Sequence, residues 1–348
     1  MDFTLNDEQL MFAETARTLL GDTCTPDHWH KMMEQGAAFD AARWAQIVEN
    51  GFTLLLLPEA AGGMGLTELD LALIAIEAGY VALPEPLAES AGVGAPLLAS
   101  LAPEHTVLAD PAAIIAVAPA INPVVANADV AAAILIEKDG RAYLVIPDQV
   151  TLTPADTIDP FRRLFRIEWD ASKAEDLGPA DWTLAIDRAA LFAAAQGLGL
   201  AQRAVDLAVA YAKDRMQFGK PIGSYQAVKH HLASAQTAIE FARPVVLAAA
   251  AEIGHADVHS RARVSEAKIV ALEAAEKAAR ASIQVHGAMG YSWEVDVHLF
   301  LKRALALKAA WGTPAFHRSR IATRIFTQPL GADQTFARQS AKSETEHA

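Results

Sequence analysis

Apolar residues recur at spacings of three and four along most of the chain, which is the pattern of amphipathic helices. Asn6 can cap the first of these segments, and Thr67 with Asp70 has nearly the spacing of a capping box. Glycines and prolines separate one segment from the next. The pattern predicts four helices in the first hundred residues, at about 6–20, 40–50, 67–78 and 87–101.

The pattern changes near Pro103 to short apolar or alternating runs, which are typical of β-strands. Asp139 and Gly140 stand between two such runs in EKDGRAYLV and predict a tight hairpin turn. The run RLFRIEW predicts a further strand. The middle of the chain is therefore expected to form a small β module.

Long helical patterns return at Asp181 and predict a bundle of four or five helices. These helices are expected at about 181–214, 224–254, 258–287, 295–310 and 314–326. The last residues are polar and are expected to be disordered. The predicted fold is mostly α with a small β module, and its divisions are a helical domain at 1–103, a β domain at 104–178, a helical bundle at 179–327 and a tail at 328–348.

Composition narrows the classes of partner and compartment. The 348 residues include 29 Lys and Arg against 42 Asp and Glu, a net charge of −13, and no basic run occurs. This charge disfavours nucleic acid and anionic membrane surfaces as partners. Cys24 is the single cysteine, so a disulfide within the chain and a cysteine metal site are both excluded. The N-terminal stretch lacks the pattern of a signal peptide, and a cytoplasmic protein is expected.

Polar groups interrupt the bundle pattern in DRMQFGKPIGSYQAVKHHLA, between two long helices. Arg215, Gln217 and backbone amides are expected to be exposed together at this turn. A guanidinium can bind a phosphate or diphosphate bidentately, and the Phe218 ring can stack on a ligand. The same residues also fit a plain helix hairpin with a surface arginine and a packed phenylalanine. From the residues alone, both interpretations stay open.

A second stretch, SIQVHGAMGYSWEVDVHLFLKRA, favours the ligand site over the plain helix hairpin. Gly287 and Gly290 allow the backbone to approach a ligand closely at the end of a helix. RMQFGKPIGSYQAVKHHLA and QVHGAMGY together resemble the C-terminal bundle of the acyl-CoA dehydrogenase family. KAAWGT, and MDFTLNDEQLMFAETAR with LLLPEAAGGMGLTELDL near the N-terminus, are also similar to that family. The resemblance covers most of the chain.

The resemblance implies a helical N-terminal domain, a middle β domain and a C-terminal four-helix bundle. It also implies FAD as cofactor and oxidation of acyl-CoA thioesters to enoyl-CoA. Ala288 replaces a usual glycine of the family. The positions that match FAD-contacting residues of the family are Arg215, Gln217, Phe218, Tyr225, Gln226, Gln284, Gly287, Ala288 and Thr313.

The family's catalytic groups have no counterpart in this sequence. Trp311 stands where most members carry the glutamate base, and Ala189 stands where a few members carry it instead. Ala190 occupies the place of that second base's arginine partner. The middle domain also lacks the segment that lines flavin and substrate, so it is a reduced version.

These losses resemble the short, non-catalytic subunit of heteromeric α2β2 acyl-CoA dehydrogenases. The resemblance implies that a catalytic acyl-CoA dehydrogenase subunit is the partner and supplies the base and most of the acyl pocket. This chain would supply the diphosphate and adenine side of the FAD site. Electron-transfer flavoprotein is the implied acceptor, and bulky acyl groups, including sterol side chains, are the implied substrates.

Two alternatives accompany this hypothesis. The first is an active homo-oligomer with an unidentified base, for which Glu240 is the best candidate and Asp187 a weaker one. The second is a scaffold that keeps the fold and binds no flavin. The adjacent His230 and His231 are more consistent with surface histidines than with metal ligands.

Two further motifs have weaker functional readings. A di-iron bundle would need two Glu-x-x-His pairs, which occur as Glu252 with His255 and as Glu344 with His347, but the second pair lies in the polar tail. Arg162 and Arg163, in DPFRRLF, are expected to bind the bundle or a partner.

Overall fold

The N-terminal region is helical, as the pattern predicts. The computed structural model describes residues 4–328, so the tail predicted to be disordered lies outside the described residues after Gln328. Asn6 Oδ1 accepts a hydrogen bond from the Gln9 amide at 2.8 Å, and the Asp70 carboxylate accepts one from the Thr67 amide at 2.8 Å. The helices are α1 Asp7–Thr23, α2 Pro26–Glu34, α3 Ala41–Glu49, α4 Glu68–Tyr80, α5 Leu87–Glu89 and α6 Ala95–Leu101.

The helix predicted over 87–101 is interrupted by a turn of π-helix at Ser90–Gly94. The Ser90 hydroxyl accepts a hydrogen bond from the Ile115 amide at 3.0 Å, which docks the first strand of the β module on this turn. A Cβ added at Gly94 would lie 2.4 Å from the Ile115 carbonyl oxygen, so this approach requires glycine. The insertion of one π turn therefore follows from a tertiary contact.

The β module contains two sheets. The first has the order β1-β3-β4-β7, in which β1 and β3 are parallel and the other pairs antiparallel, and the second has the order β2-β6-β5. The hairpin prediction is confirmed, because Asp139 and Gly140 both have positive φ, 52° and 74°, between β3 and β4. The strands are β1 Ile115–Ala118, β2 Val125–Ala126, β3 Ala133–Lys138, β4 Arg141–Val145, β5 Val150–Ala155, β6 Leu164–Trp169 and β7 Glu175–Pro179.

The C-terminal region is the predicted helical bundle, built around a nearly buried α7 that packs on α4, α8, α9 and α10. By length and composition α7 could cross a membrane, but most of it is covered by these neighbours, as in a core helix. A short hairpin, β8 Met216–Gln217 with β9 Lys220–Pro221, joins α7 to α8. The helices are α7 Trp182–Asp214, α8 Gln226–Glu252, α9 Val258–His286, α10 Val297–Ala309 and α11 Pro314–Thr327.

Glycines let α4 and α7 pack with their backbones in contact. A Cβ at Gly79 would lie 2.1 Å from the Gln196 carbonyl oxygen, and one at Gly199 would lie 1.9 Å from the Ile76 carbonyl oxygen. Both distances are far below van der Waals contact. The N-terminal domain is therefore seated directly on the central helix of the bundle.

A buried ion pair joins the β module to the bundle and to the N-terminal domain. The guanidinium of Arg303, on α10, donates to the carboxylate of Asp159 in the β module. A second nitrogen of Arg303 donates to the Leu83 carbonyl oxygen at 2.8 Å. All three regions thus meet at one buried arginine.

Among residues 4–328, Arg162 and Arg163 form their ion pairs outside the bundle. Arg163 pairs with Asp129 inside the β module at 2.6 Å. Arg162 faces Glu89 of α5, and their charged atoms are 3.8 Å apart. Asp159 of the same segment forms an ion pair with the bundle, because its carboxylate accepts from the buried Arg303.

Candidate functional site

The hairpin between α7 and α8 presents the first predicted site residues to solvent. Arg215 and Gln217 are both exposed, and no described residue forms an ion pair with Arg215. Phe218 and Gly219 form the turn with φ of 51° and 80°, which leaves the Phe218 side chain 92 % exposed. The interpretation of Phe218 as a packed residue is therefore wrong for this chain, since its ring has almost no cover.

Tyr225 and Gln226 extend this exposed surface into the first turn of α8. The Tyr225 hydroxyl donates to the Gln217 carbonyl oxygen at 3.3 Å, and the Lys220 ammonium lies 4.3 Å from the centre of the Tyr225 ring. Gln226 is the first residue of α8 and is exposed. These contacts fix the hairpin against the helix start while its arginine and phenylalanine stay free.

The end of α9 lies beside the hairpin. The Tyr211 ring, one turn before Arg215, stacks on His286 with 4.2 Å between ring centres. Directly after His286, Gly287 and Ala288 are exposed, and Gly287 has the positive φ of 62° that favours glycine. The structure thus brings the hairpin and the α9 end together at one end of the bundle.

An open groove of about 710 Å³ continues from this surface between α8 and α9. Gln284 is exposed and lines it, together with Ala227 of α8. His230 and His231 also line the groove, and both are exposed, as expected of surface histidines. The groove provides space next to the predicted site residues for a ligand or a second chain.

Thr313 lies elsewhere in the chain. Its hydroxyl accepts a hydrogen bond from the Phe316 amide at 3.3 Å and so caps α11. The neighbouring Gly312 contacts Lys268 of α9, and Lys268 is about 24 Å from Gln284 at the helical rise of 1.5 Å per residue. The nine predicted cofactor residues therefore form two groups, with Thr313 alone in the second.

The two positions predicted to match those of the family's base come together in the fold. Trp311 and Ala189 are both 4 % exposed and line the same small cavity, of about 10 Å³, next to Phe192 and Leu307. Neither side chain accepts a proton. The indole ring fills most of this space, since the remaining 10 Å³ or so could hold one water molecule at most.

A carboxylate that no sequence motif indicates also lines this small cavity. Glu89 belongs to α5, just before the π turn, and faces the cavity from the N-terminal domain. Glu89 belongs to no recognised motif, so its closeness to Trp311 is visible only in the folded structure. By contrast, Glu240, the base expected for the alternative of an active homo-oligomer, is exposed on α8 and accepts a hydrogen bond from Gln236 at 2.7 Å. Within this chain Glu240 is therefore a solvated glutamate and is not buried as a poised base would be.

The backbone at Trp311 is held by contacts from three directions. Its amide donates to Asn122 Oδ1 at 3.1 Å, and its carbonyl oxygen accepts from His317 Nε2 at 3.0 Å. His317 Nδ1 accepts from the Ser265 hydroxyl, 3.1 Å away. Burial is the main cause that lowers the pKa of His317 to about 3, so the imidazole is neutral at pH 7. These bonds hold Trp311 at its unusual φ of 58°.

Lys268 completes this support from α9. Its ammonium donates to the carbonyl oxygens of Ala310 and Gly312, on either side of Trp311. Burial lowers the pKa of Lys268 well below its ordinary value, and the charge of Arg162 lowers it further. A buried lysine and a buried histidine thus both serve the turn that positions Trp311.

Asp187, the weaker base candidate, lies on another side of α7 from Ala189. Its carboxylate is 2.6 Å from Arg320 of α11 and 3.8 Å from Arg261 of α9. Burial raises its pKa to about 6, against the opposing effect of Arg320. It ties three helices together and faces neither cavity described above.

Among residues 4–328, no group of three His, Cys, Asp or Glu side chains could hold a metal ion. Glu252 of the first Glu-x-x-His pair is buried at the end of α8, 3.7 Å from Arg263. The second pair, Glu344 with His347, lies outside the described residues.

Two family models match the chain on either side of the β module. The model described as acyl-CoA dehydrogenase, N-terminal domain, matches residues 6–104, and the model described as acyl-CoA dehydrogenase, C-terminal domain, matches 179–326. The chain belongs to the acyl-CoA dehydrogenase family. FAD is the cofactor of this family. The predicted family and fold are both confirmed.

Similar acyl-CoA dehydrogenases occur in mycobacteria. Acyl-CoA dehydrogenase IpdE2 of Mycobacterium tuberculosis is 33 % identical over 93 % of this chain and 99 % of its own length. Acyl-CoA dehydrogenase FadE34 of the same organism is 32 % identical over 86 % of this chain and 45 % of its own length.

Several solved structures have the same fold. The ChsE4-ChsE5 complex from Mycobacterium tuberculosis contains a chain that superposes with a TM-score of 0.85 at 24 % identity, over 95 % of this chain and 100 % of that one. Butyryl-CoA dehydrogenase from Megasphaera elsdenii superposes with a TM-score of 0.82 at 20 % identity, over 94 % and 100 %. A steroid acyl-CoA dehydrogenase, Tcur3481-Tcur3483, gives a TM-score of 0.78 at 23 % identity, over 93 % and 99 %.

Proposed function

We propose that this chain is the non-catalytic subunit of a heteromeric, FAD-dependent acyl-CoA dehydrogenase that oxidises an acyl-CoA thioester to the 2,3-enoyl-CoA. One observation carries the proposal: Trp311 and Ala189 meet at one filled cavity, where the family places its base. A chain with no base there and an indole ring in place of substrate needs a partner for the chemistry. The partner would be a catalytic acyl-CoA dehydrogenase chain.

The contribution of this chain is half of an FAD site. The exposed Arg215 guanidinium suits the diphosphate, and the exposed Phe218 ring suits the adenine side. Gln217, Tyr225 and Gln226 surround them, and the loop after Gln284 lies at the same end of the bundle. Because these groups face outward, they would reach a cofactor held mainly by a neighbouring chain.

In such a complex, the residues of this chain bind and orient. Bound FAD supplies acceptance of the hydride from the substrate β-carbon. Arg215 would hold the negative charge of the diphosphate, and Trp311 would exclude substrate and water from this chain's own degenerate site. The base that removes the α-proton would come from the partner. Thr313, which caps α11 beside Trp311, would have no cofactor role in this arrangement.

Relatives support the heteromeric assembly. The ChsE4-ChsE5 structure is a complex, and Tcur3481-Tcur3483 is a steroid acyl-CoA dehydrogenase named for two components. By analogy, we propose a heterotetramer that acts on bulky acyl groups such as sterol side chains, with electron-transfer flavoprotein as acceptor.

Flavin content tests the proposal directly. The chain is purified alone and after co-expression with a longer acyl-CoA dehydrogenase chain from the same genome, and FAD per chain is measured together with mass in solution. We expect no FAD in the chain alone and FAD in the co-expressed complex. A yellow homo-oligomer with near-stoichiometric FAD and acyl-CoA turnover would overturn the proposal.

The position of Glu89 favours one alternative, an active homo-oligomer with an unusual base. If the chain alone oxidises acyl-CoA, Glu89→Gln should abolish turnover, while Glu240→Gln should leave it unchanged. If instead Arg215→Ala alters nothing in any complex, the scaffold without flavin is the better description.

A further inference from the structure

Positive charge is concentrated around the hairpin between α7 and α8, although the chain as a whole has a net charge of −13. Lys213 lies in the last turn of α7, Lys220 on β9 and Lys229 in the first turn of α8, and all three are exposed. We call these three lysines the basic patch. Between residues 213 and 231 Asp214 is the one acidic residue, and 284–293, at the α9 end, contains none. This end of the bundle is therefore locally basic on an acidic protein.

The basic patch has no ionic partner within the described part of the chain. Among residues 4–328, none of its three lysines forms an ion pair. The ammonium of Lys220 lies 4.3 Å from the centre of the Tyr225 ring, and this contact holds it beside the hairpin. The charge of the patch is thus left for a group outside the chain.

Lys229 occupies a position that a helix does not favour for a lysine. The first turn of a helix lies at the positive end of the helix dipole, which favours Asp or Glu, and α8 has no acidic residue there. Lys213, in contrast, lies in the last turn of α7, where a positive charge is favourable. Folding accounts for Lys213 but not for Lys229, and a residue that breaks a local preference is typical of a functional surface.

The cofactor of the proposed half-site does not need these lysines. A diphosphate carries one negative charge on each phosphate, and the Arg215 guanidinium can bind such a group bidentately. An extended polyanion such as DNA or an anionic membrane would be repelled by the net charge of −13. A protein surface, however, can place acidic residues opposite the patch alone.

We propose that the basic patch docks on an acidic surface of the catalytic partner chain, at the rim of the interface that encloses FAD. This inference rests on the proposed function, because that function places a second chain over Arg215 and the α9 end. Charged residues at the rim of an interface mainly accelerate and orient association, and salt screens their effect. The patch therefore decides which chain binds and in which orientation, while Arg215 and Phe218 contact the cofactor.

The dissociation constant of the co-expressed complex tests this inference, measured by sedimentation of the full chains at about 50 mM and about 500 mM NaCl. The patch variant replaces its three lysines by glutamine. The control variant replaces three exposed lysines of the N-terminal domain and the β module by glutamine, with the same change in net charge: Lys31, Lys138 and Lys173.

The patch variant is expected to bind the partner at least about tenfold more weakly at the lower salt concentration, and less than about threefold more weakly at the higher one. The control variant is expected to bind like the unmodified chain at both. Replacement of the three patch lysines by arginine keeps the charge and should also leave the dissociation constant unchanged.

FAD per complex separates this inference from the proposed function. A complex that holds FAD and has the same dissociation constant in the patch and control variants would overturn the inference alone. A yellow homo-oligomer of the single chain, or no complex at either salt concentration, would overturn both.

Two further results would contradict the choice of an acidic protein surface. Equal weakening of the patch variant at both salt concentrations would mean that the lysines act through packing and not through charge. Binding of the unmodified chain to phosphatidylserine vesicles or to duplex DNA, lost in the patch variant, would mean that the patch serves another polyanion.

Discussion

Trp311 and Ala189 come from separate parts of the bundle and pack against one cavity that has almost no free volume. The resemblance implies that either place could carry the family's base. Neither side chain can take up a proton, and together they leave only about 10 Å³ between them. Restoring one carboxylate would therefore not be sufficient for catalysis, because the space that a substrate would need is also filled.

Trp311→Glu should show no acyl-CoA turnover in the isolated chain supplied with FAD. The new carboxylate would enter an apolar space, at a cost in stability of about 3–5 kcal/mol from loss of the buried indole. Trp311→Phe, with circular dichroism of both variants, controls for folding. Measurable turnover of a medium-chain acyl-CoA by Trp311→Glu would mean that the β module holds the flavin ring after all.

Arg215→Ala should weaken FAD retention in the co-expressed complex roughly 10- to 150-fold, since one charge-assisted pair with the diphosphate is lost. The readout is FAD per complex after dilution and gel filtration. Lys173→Ala removes one positive charge from an exposed turn of the β module and serves as the matched control. The same FAD content in both variants would contradict the half-site.

His317→Gln should reduce the loss of unfolding free energy that occurs when the pH is lowered. The pKa of His317 is about 3 in the folded chain, below the ordinary 6.5, so the unfolded chain binds one more proton between these values. Stability is lost as the pH falls through this window, by about 1.4 kcal/mol per pH unit from this residue.

Urea unfolding at pH 5.5 and 4.5 measures that slope. Glutamine can still donate to the Trp311 carbonyl oxygen but does not titrate, so the difference between the two pH values should shrink by about 1.4 kcal/mol. His230→Gln, which replaces an exposed histidine, is measured in parallel. Identical slopes for His317→Gln and the unmodified chain would rule out the buried neutral imidazole.

Asp159→Asn should destabilise the chain by about 3–5 kcal/mol, because it leaves the buried Arg303 charge without its partner. The measurement is the free energy of unfolding in urea. Asp176→Asn is the matched control, because it breaks an exposed pair with Arg141 and should change unfolding little. Equal effects of the two substitutions would show that the joint between module and bundle does not depend on this pair.

Helix positions were predictable where the apolar period ran for several turns or a cap marked the start, as at Asn6 and Thr67. Helix α2 was missed because its nine residues bury only Trp29 and Met32, too few for a period to show. The π turn at Ser90–Gly94 was also missed, since it depends on docking of Ile115 from a distant strand.

The exposed half of the candidate site could be predicted because its residues lie in two short motifs. Glu89 and Arg162 could not, since they come from different domains and meet only through the π turn and the module fold. The exposure of Glu240 was not predictable with certainty, because helical spacing alone does not say which face of α8 is covered. Site residues that lie together in a short motif could therefore be predicted from the sequence. Residues that come together from different domains could not.

The glycine contacts between α4 and α7 limit how the molecule can respond to a partner. With Gly79 and Gly199 holding two backbones in contact, the N-terminal domain and the bundle cannot slide or hinge past each other without a steric clash. Adjustment on assembly must then occur in the hairpin around Phe218 or in the β module, and hydrogen exchange on complex formation should slow there and stay constant along α4.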